Sequence, residues 1–176
     1  MATTRSLIAK YIVDNTSTAK FSITSIPQTY TDLEIYCHLN YSSSTTTNNF
    51  IIRPNANTTA ANYATEYLTY FYNNGIFDAT NGGNSFFYFQ YAHGGTGAGN
   101  GLLAFTRVFV AEYTQATFHN IGVVTSSTTT ALSSSLTGTA QKQYKEAAAI
   151  TSMEFDAGGG LWEQGSSVFV YGLLHY

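Results

Sequence analysis

Asp32-Leu33-Glu34-Ile35-Tyr36-Cys37-His38-Leu39-Asn40-Tyr41 alternates without a break: Leu33, Ile35, Cys37, Leu39 and Tyr41 on odd positions, Glu34, Tyr36, His38 and Asn40 on even ones. Successive side chains of an extended chain point to opposite faces, so this spacing predicts a strand with one face buried and the other polar. Short β-rich runs recur on either side of it, at residues 6–13, 19–23, 49–53, 85–91, 102–110, 118–125, 148–156 and 167–174. About nine strands parted by turn residues predict an all-β protein, an antiparallel sandwich or barrel.

The separators suit tight turns, because Gly and Asn tolerate left-handed backbone and Pro fixes its own φ. They include Ile26-Pro27-Gln28, Asn73-Asn74-Gly75, Asn81-Gly82-Gly83-Asn84 and Gly158-Gly159-Gly160. Residues 60–72 space Tyr63, Tyr67 and Phe71 as i, i+4, i+8, and we expect there at most one short helix or an irregular segment, although the Thr and Tyr content would equally fit a strand. The Ser/Thr-rich stretch 125–139 reads as an exposed connection. No composition shift divides the chain, so residues 1–176 are expected to form a single domain.

Charged residues make up only 10 % of the chain, against roughly 25 % in an ordinary soluble domain, while aromatics reach 15 %. Neutral hydroxyls and amides cost less to desolvate than unpaired charges, which suits a surface packed against neighbours. A net charge of −3 with scattered basic residues predicts no nucleic-acid partner; Lys142 and Lys145, the one close pair, read as a solvated turn. No apolar run approaches the roughly 20 residues of a helical span, so no membrane partner is expected. Residues 7–13 are interrupted by Lys10 and lack a small-residue cleavage site, which predicts a chain made in a cytosol and not secreted by a signal peptide.

Candidate chemistry is sparse. Cys37 is the single cysteine, excluding an internal disulfide and a cysteine-rich zinc site, and its place in the alternation predicts burial. His38, His93, His119 and His175 lack metal-ligand spacing. Gly165-Ser166-Ser167 lacks the second glycine of a nucleophile elbow and runs into a strand. The glycines of 94–101 fit dinucleotide-loop spacing, but the continuation Leu102-Leu103-Ala104-Phe105 is β-like where that motif needs a helix. Glu154 and Asp156 share one face of a predicted strand, a spacing that two catalytic carboxylates could use; Asp156 also stands where a calcium-binding loop or a simple turn at Gly158 could begin. None of these assembles a nucleophile, base and orienting group, so we expect a protein that is not an enzyme, with no catalytic, cofactor or metal residues.

Aromatic residues are the more informative signal. Phe87, Phe89 and Tyr91 alternate with Phe86 and Tyr88 along one run, and Tyr67, Tyr70 and Tyr72 crowd another. A strand with bulky groups on both faces needs cover on both, from a folded-over loop or from a subunit interface, where Tyr and Phe are enriched. Tyr67, Tyr70, Tyr72, Phe87, Phe89 and Tyr91 are therefore interface candidates. Trp162, after Gly158-Gly159-Gly160-Leu161, is read either as a core residue or as an exposed ring for a partner or a sugar.

Two segments carry a resemblance. Phe21-Ser22-Ile23-Thr24-Ser25-Ile26-Pro27-Gln28-Thr29-Tyr30-Thr31-Asp32-Leu33 resembles the opening of a family of small tailed-phage virion proteins. Ala148-Ala149-Ile150-Thr151-Ser152-Met153-Glu154-Phe155 and Gly165-Ser166-Ser167-Val168-Phe169-Val170-Tyr171-Gly172-Leu173 resemble its ending, a strand of the form Gly-Ser-x-x-x-Leu-Tyr-Gly-Ile. Weaker echoes are Asn62-Tyr63 and Arg107-Val108-Phe109-Val110 with Glu112-Tyr113. Val170 replaces the common Leu, and Leu174-His175-Tyr176 runs past the usual stop.

The resemblance implies a jelly-roll-like β-sandwich in a virion, assembled in the host cytoplasm, with no activity or cofactor to carry over. Because no fibre repeat, heptad or collagen-like stalk accompanies the domain, a capsid decoration or cement protein is expected, binding the major capsid protein or other virion proteins. A homo-oligomer, trimeric on symmetry grounds, would place a nonpolar face inward. The alternative is a tail or fibre-tip adhesin that binds host surface glycans.

Overall fold

The computed structural model describes residues 3–42, 48–72, 75–79, 87–92, 102–116, 119–128 and 135–175. Within them the chain is built from strands: β1 (Thr3–Ile12), β2 (Lys20–Ile23), β3 (Asp32–Ser42), β4 (Asn48–Pro54), β5 (Tyr63–Tyr72), β6 (Gly75–Ala79), β7 (Phe87–Ala92), β8 (Leu102–Val110), β9 (His119–Thr128), β10 (Ser135–Tyr144), β11 (Met153–Asp156), β12 (Leu161–Trp162) and β13 (Ser167–His175). They form two antiparallel sheets. The larger is ordered β1-β13-β3-β8-β9-β10-β5-β6, with β12 also pairing β3; the smaller is ordered β2-β11-β4-β7.

β3 sits near the middle of the larger sheet, and its alternation does what the sequence predicts. Leu33, Ile35, Cys37 and Leu39 are buried together with Val108 and Val110 of β8 and Val168 and Val170 of β13. The smaller sheet supplies Phe21, Ile23, Ile52, Met153 and Phe155 to the same cluster, so both sheets share one core. The partly buried Tyr11 ring stacks on Phe21 at 3.8 Å between centroids, and Trp162 meets Phe21 edge-on at 5.4 Å. Offset and edge-to-face pairs of this kind add to the burial of large apolar rings.

The structure corrects three expectations of local structure. Residues 60–72 form no α-helix: a single 3-10 turn over Ala60–Asn62 leads into the ten-residue strand β5. Thr and Tyr fit a pleated surface better than a helix, and pairing along the length of β10 decides between them. The stretch 125–139 is mostly paired strand and not an open connection, because β9 and β10 run antiparallel with Thr128 opposite Ser135; residues 129–134 lie outside the described ones. The run at 148–156 is strand only from Met153. Ahead of it the Asn55 side chain donates to the Ala149 carbonyl and accepts from the Thr151 and Ser152 amides, taking over backbone groups that a longer strand would have paired.

Residues 21–33 meet residues 148–155 and 165–173 through a set of hydrogen bonds and one ring contact. Tyr113 donates its hydroxyl to the Pro27 carbonyl, and Gln28 Nε2 donates to the carbonyls of Ile26 and Ile150 at 2.9 and 3.0 Å. The Thr31 amide donates to the Leu173 carbonyl at 2.8 Å, and the Tyr30 ring covers Gly172. Asp32, buried on the outer side of β3, accepts the Glu112 amide at 2.8 Å and lies 2.6 Å from His175 Nε2.

Candidate functional site

The outer face of β1-β13-β3-β8 combines exposed apolar groups with a partly buried ion cluster. Glu34, on the polar side of β3, is 5 % exposed although it points away from the core. Its carboxylate is held by two arginines and a phenol. Arg107 Nε donates to Oε1 at 2.7 Å and its Nη2 meets the same oxygen, Arg5 Nε lies 3.2 Å from Oε2, and the Tyr36 hydroxyl donates to Oε1 at 2.9 Å. Burial, followed by the hydrogen bond to Glu34, raises the Tyr36 phenol above its ordinary value.

Rings wall this cluster. The Arg5 guanidinium lies 3.8 Å from the Tyr171 centroid and 4.8 Å from that of Tyr36, a cation–π geometry. Tyr36 is edge-on to Tyr171, and Phe105 packs beside both Tyr36 and His38. Leu7 and Phe109 are 51 % and 36 % exposed. Register explains their grouping: Glu34 stands opposite Phe109 on one side and Tyr171 on the other, and Leu7 stands opposite Tyr171.

A bulge in β1 completes the face. The register slips between Leu7 and Ala9, which pair Tyr171 and Val170 respectively. Without the extra residue, the odd positions Arg5, Leu7, Ala9 and Tyr11 would share one side. With it, Arg5 and Leu7 face outward while Ala9 and Tyr11 pack on the core.

Other candidates fall elsewhere. Trp162 is 1 % exposed inside the core cluster, so of its two readings the core one describes it, and the exposed ring for a partner or sugar is corrected. Tyr67, Tyr70 and Tyr72 lie on β5, and Phe87, Phe89 and Tyr91 on β7; their side chains fall outside the described residues, as do His93 and the glycines of 94–101. Cys37 is fully buried, and burial pushes its thiol far above the ordinary range.

Glu154 and Asp156 are bridged by one nitrogen: Arg53 Nη1 donates to them at 2.6 and 2.9 Å. Lys20 Nζ lies 3.4 Å from Glu154, balancing two carboxylates with two cations. Asp156 Oδ1 also accepts the Gly158 amide at 2.8 Å, which starts the turn that the sequence offered as one of its readings. Burial opposes charge on Arg53, but the hydrogen bonds and attraction of the two carboxylates outweigh it and raise its pKa.

The face on β3 was missed because Arg5 and Arg107 lie far apart in sequence and read as scattered charges. The available signal was Glu34, an acid on the polar side of the most regular strand, but its partners depend on register. Comparison with protein-family models, curated proteins and solved structures finds no match for the chain.

Proposed function

We propose that this chain is a non-enzymatic structural protein of a tailed-phage particle, a capsid decoration or cement protein that stabilises the head through protein–protein contacts. The observation that carries the reading is the outer face of β1-β13-β3-β8, where Leu7, Phe109 and a ring-walled ion cluster cover a sheet already packed on its other side. Exposed apolar groups around ring-stacked, half-exposed arginines suit an interface centre, where Tyr and Arg are enriched.

The strand order supports a jelly roll. Omitting the hairpins β5-β6 and β9-β10 and the two-residue β12, the order β1-β13-β3-β8 faces β2-β11-β4-β7, and the chain changes sheet at every step but that from β4 to β7, the connectivity of two Greek keys. That architecture serves viral capsid and lectin domains alike, so the functional reading rests on the face and the family resemblance, not on topology. The burial of Trp162 withdraws the best-placed ring for stacking on a glycan.

The test is rupture of particles assembled with and without this protein under heat or osmotic shock. Loss of the protein should lower the rupture temperature, with a copy number that matches icosahedral symmetry. Unchanged rupture, or a few copies at the tail together with glycan binding, would overturn the cement role.

A further inference from the structure

We infer that the partner received by the Glu34 face is a protein surface presenting an Asp or Glu carboxylate among apolar side chains. The inference deepens the docking role proposed above and rests on it. Two guanidiniums, Arg5 and Arg107, share one carboxylate, Glu34, so the cluster holds one uncompensated positive charge in a chain whose net charge is −3. Lys10 is exposed on the same side of β1, opposite Phe169. The other acid on this side of β3, Asp32, is buried beneath His175, 2.6 Å from its Nε2, and accepts the Glu112 amide.

The donors are also placed to receive a carboxylate. The Arg5 and Arg107 side chains are 43 % and 52 % exposed, whereas Glu34 beneath them is 6 % exposed. Arg5 meets Glu34 through Nε, and its two terminal nitrogens take no acceptor among the described residues. A guanidinium stacked on rings keeps its in-plane N–H groups directed past the ring edges, the arrangement suited to a bidentate carboxylate. Tyr171, Leu7 and Phe109 around it would exclude water and strengthen the pair.

A second copy fits this face poorly. An isologous dimer about its centre would bring the surplus cation of one copy onto that of the other, and like charges at an interface are costly. An acidic partner has the complementary sign.

The test uses the full chain and two capped heptapeptides, one carrying a single glutamate between leucine and phenylalanine residues, the other glutamine in its place. Binding is followed by NMR titration, including the arginine Nε–H signals. The glutamate peptide should bind about tenfold more tightly, the scale of a charge-assisted hydrogen bond, and should shift the Arg5 and Arg107 signals. Arg107→Gln and Arg5→Gln should each abolish the difference, Arg107→Lys should restore part of it, and Lys145→Gln on another segment should leave it intact. Arg5→Gln keeps the test decisive if Arg107→Gln does not fold.

Equal affinities, discrimination that survives both arginine variants, or self-association through this face in sedimentation would each overturn the inference. Particles that weaken without the protein while the peptides go undiscriminated would reject the carboxylate partner and leave the docking role standing.

Discussion

The Tyr30 ring occupies the space where any side chain at position 172 would begin: a Cβ built on Gly172 falls 2.3 Å from Tyr30 Cγ and 2.7 Å from Cδ1. The turn after β2 and the last strand are thereby locked together, where residues 21–33 meet residues 165–173.

Gly172→Ala should destabilise the protein by about 1–3 kcal/mol, the range for overpacking a tight contact. In a Tyr30→Ala background the same substitution should cost little, because the opposing ring is gone. Urea denaturation of the four proteins checks the coupling, and equal costs in both backgrounds would refute it.

Removing the acid from the outer face should release both arginines. Glu34→Gln is expected to cost about 1–2 kcal/mol, kept small because both guanidiniums are largely solvated. The loss should shrink in roughly 1 M salt, where the Debye length falls to about 3 Å. A salt-independent cost would mean that packing, not charge, holds Glu34 in place.

Alkaline pH should unfold the protein through its buried phenols. Tyr63 and Tyr144 pack with ring centroids 5.4 Å apart. Burial raises both phenols well above the ordinary value near 10, and Glu146 adds to the effect at Tyr144. The folded state holds these protons more tightly than the unfolded one, so the stability they confer is complete below about pH 10 and is lost as pH rises toward the folded values. Denaturation midpoints should fall steeply above about pH 10, and Tyr63→Phe and Tyr144→Phe should flatten the slope.

Cys37 should be inert in the folded protein. It is fully buried with its thiol pushed up by burial. A thiol reagent should label it no faster than the protein opens globally, and quickly in denaturant. Rapid native labelling would show that β3 is not the closed centre of the sheet.

Trp162, the single tryptophan, is 1 % exposed. Its native emission should be blue-shifted and shielded from acrylamide, and both properties should vanish on unfolding. Free quenching in the native state would return Trp162 to the surface.

The β3 alternation was fully legible, because a period of two in apolar residues follows from pleat geometry alone, and β8 and β13 were legible as near-continuous β-rich runs following glycine. Gly165, which leads into the last strand, has a φ of +91°, a conformation that favours glycine. What failed were segments whose own residues are ambiguous. Tyr63, Tyr67 and Phe71 fit two periods, and the choice fell to a partner strand far along the chain. The Ser/Thr run could lie open or be paired, and only β9 against β10 decided it.

By itself the sequence determined that this is an all-β protein, where its most regular strand lies, and that Cys37 belongs inside it. These follow from local backbone geometry and from the cost of exposing apolar side chains. The tertiary structure alone decided the Glu34 face. Arg5, Glu34 and Arg107 become neighbours only through the three pairings of four strands and a one-residue bulge, and a register is set by the summed packing of whole sheets, not by any residue within them.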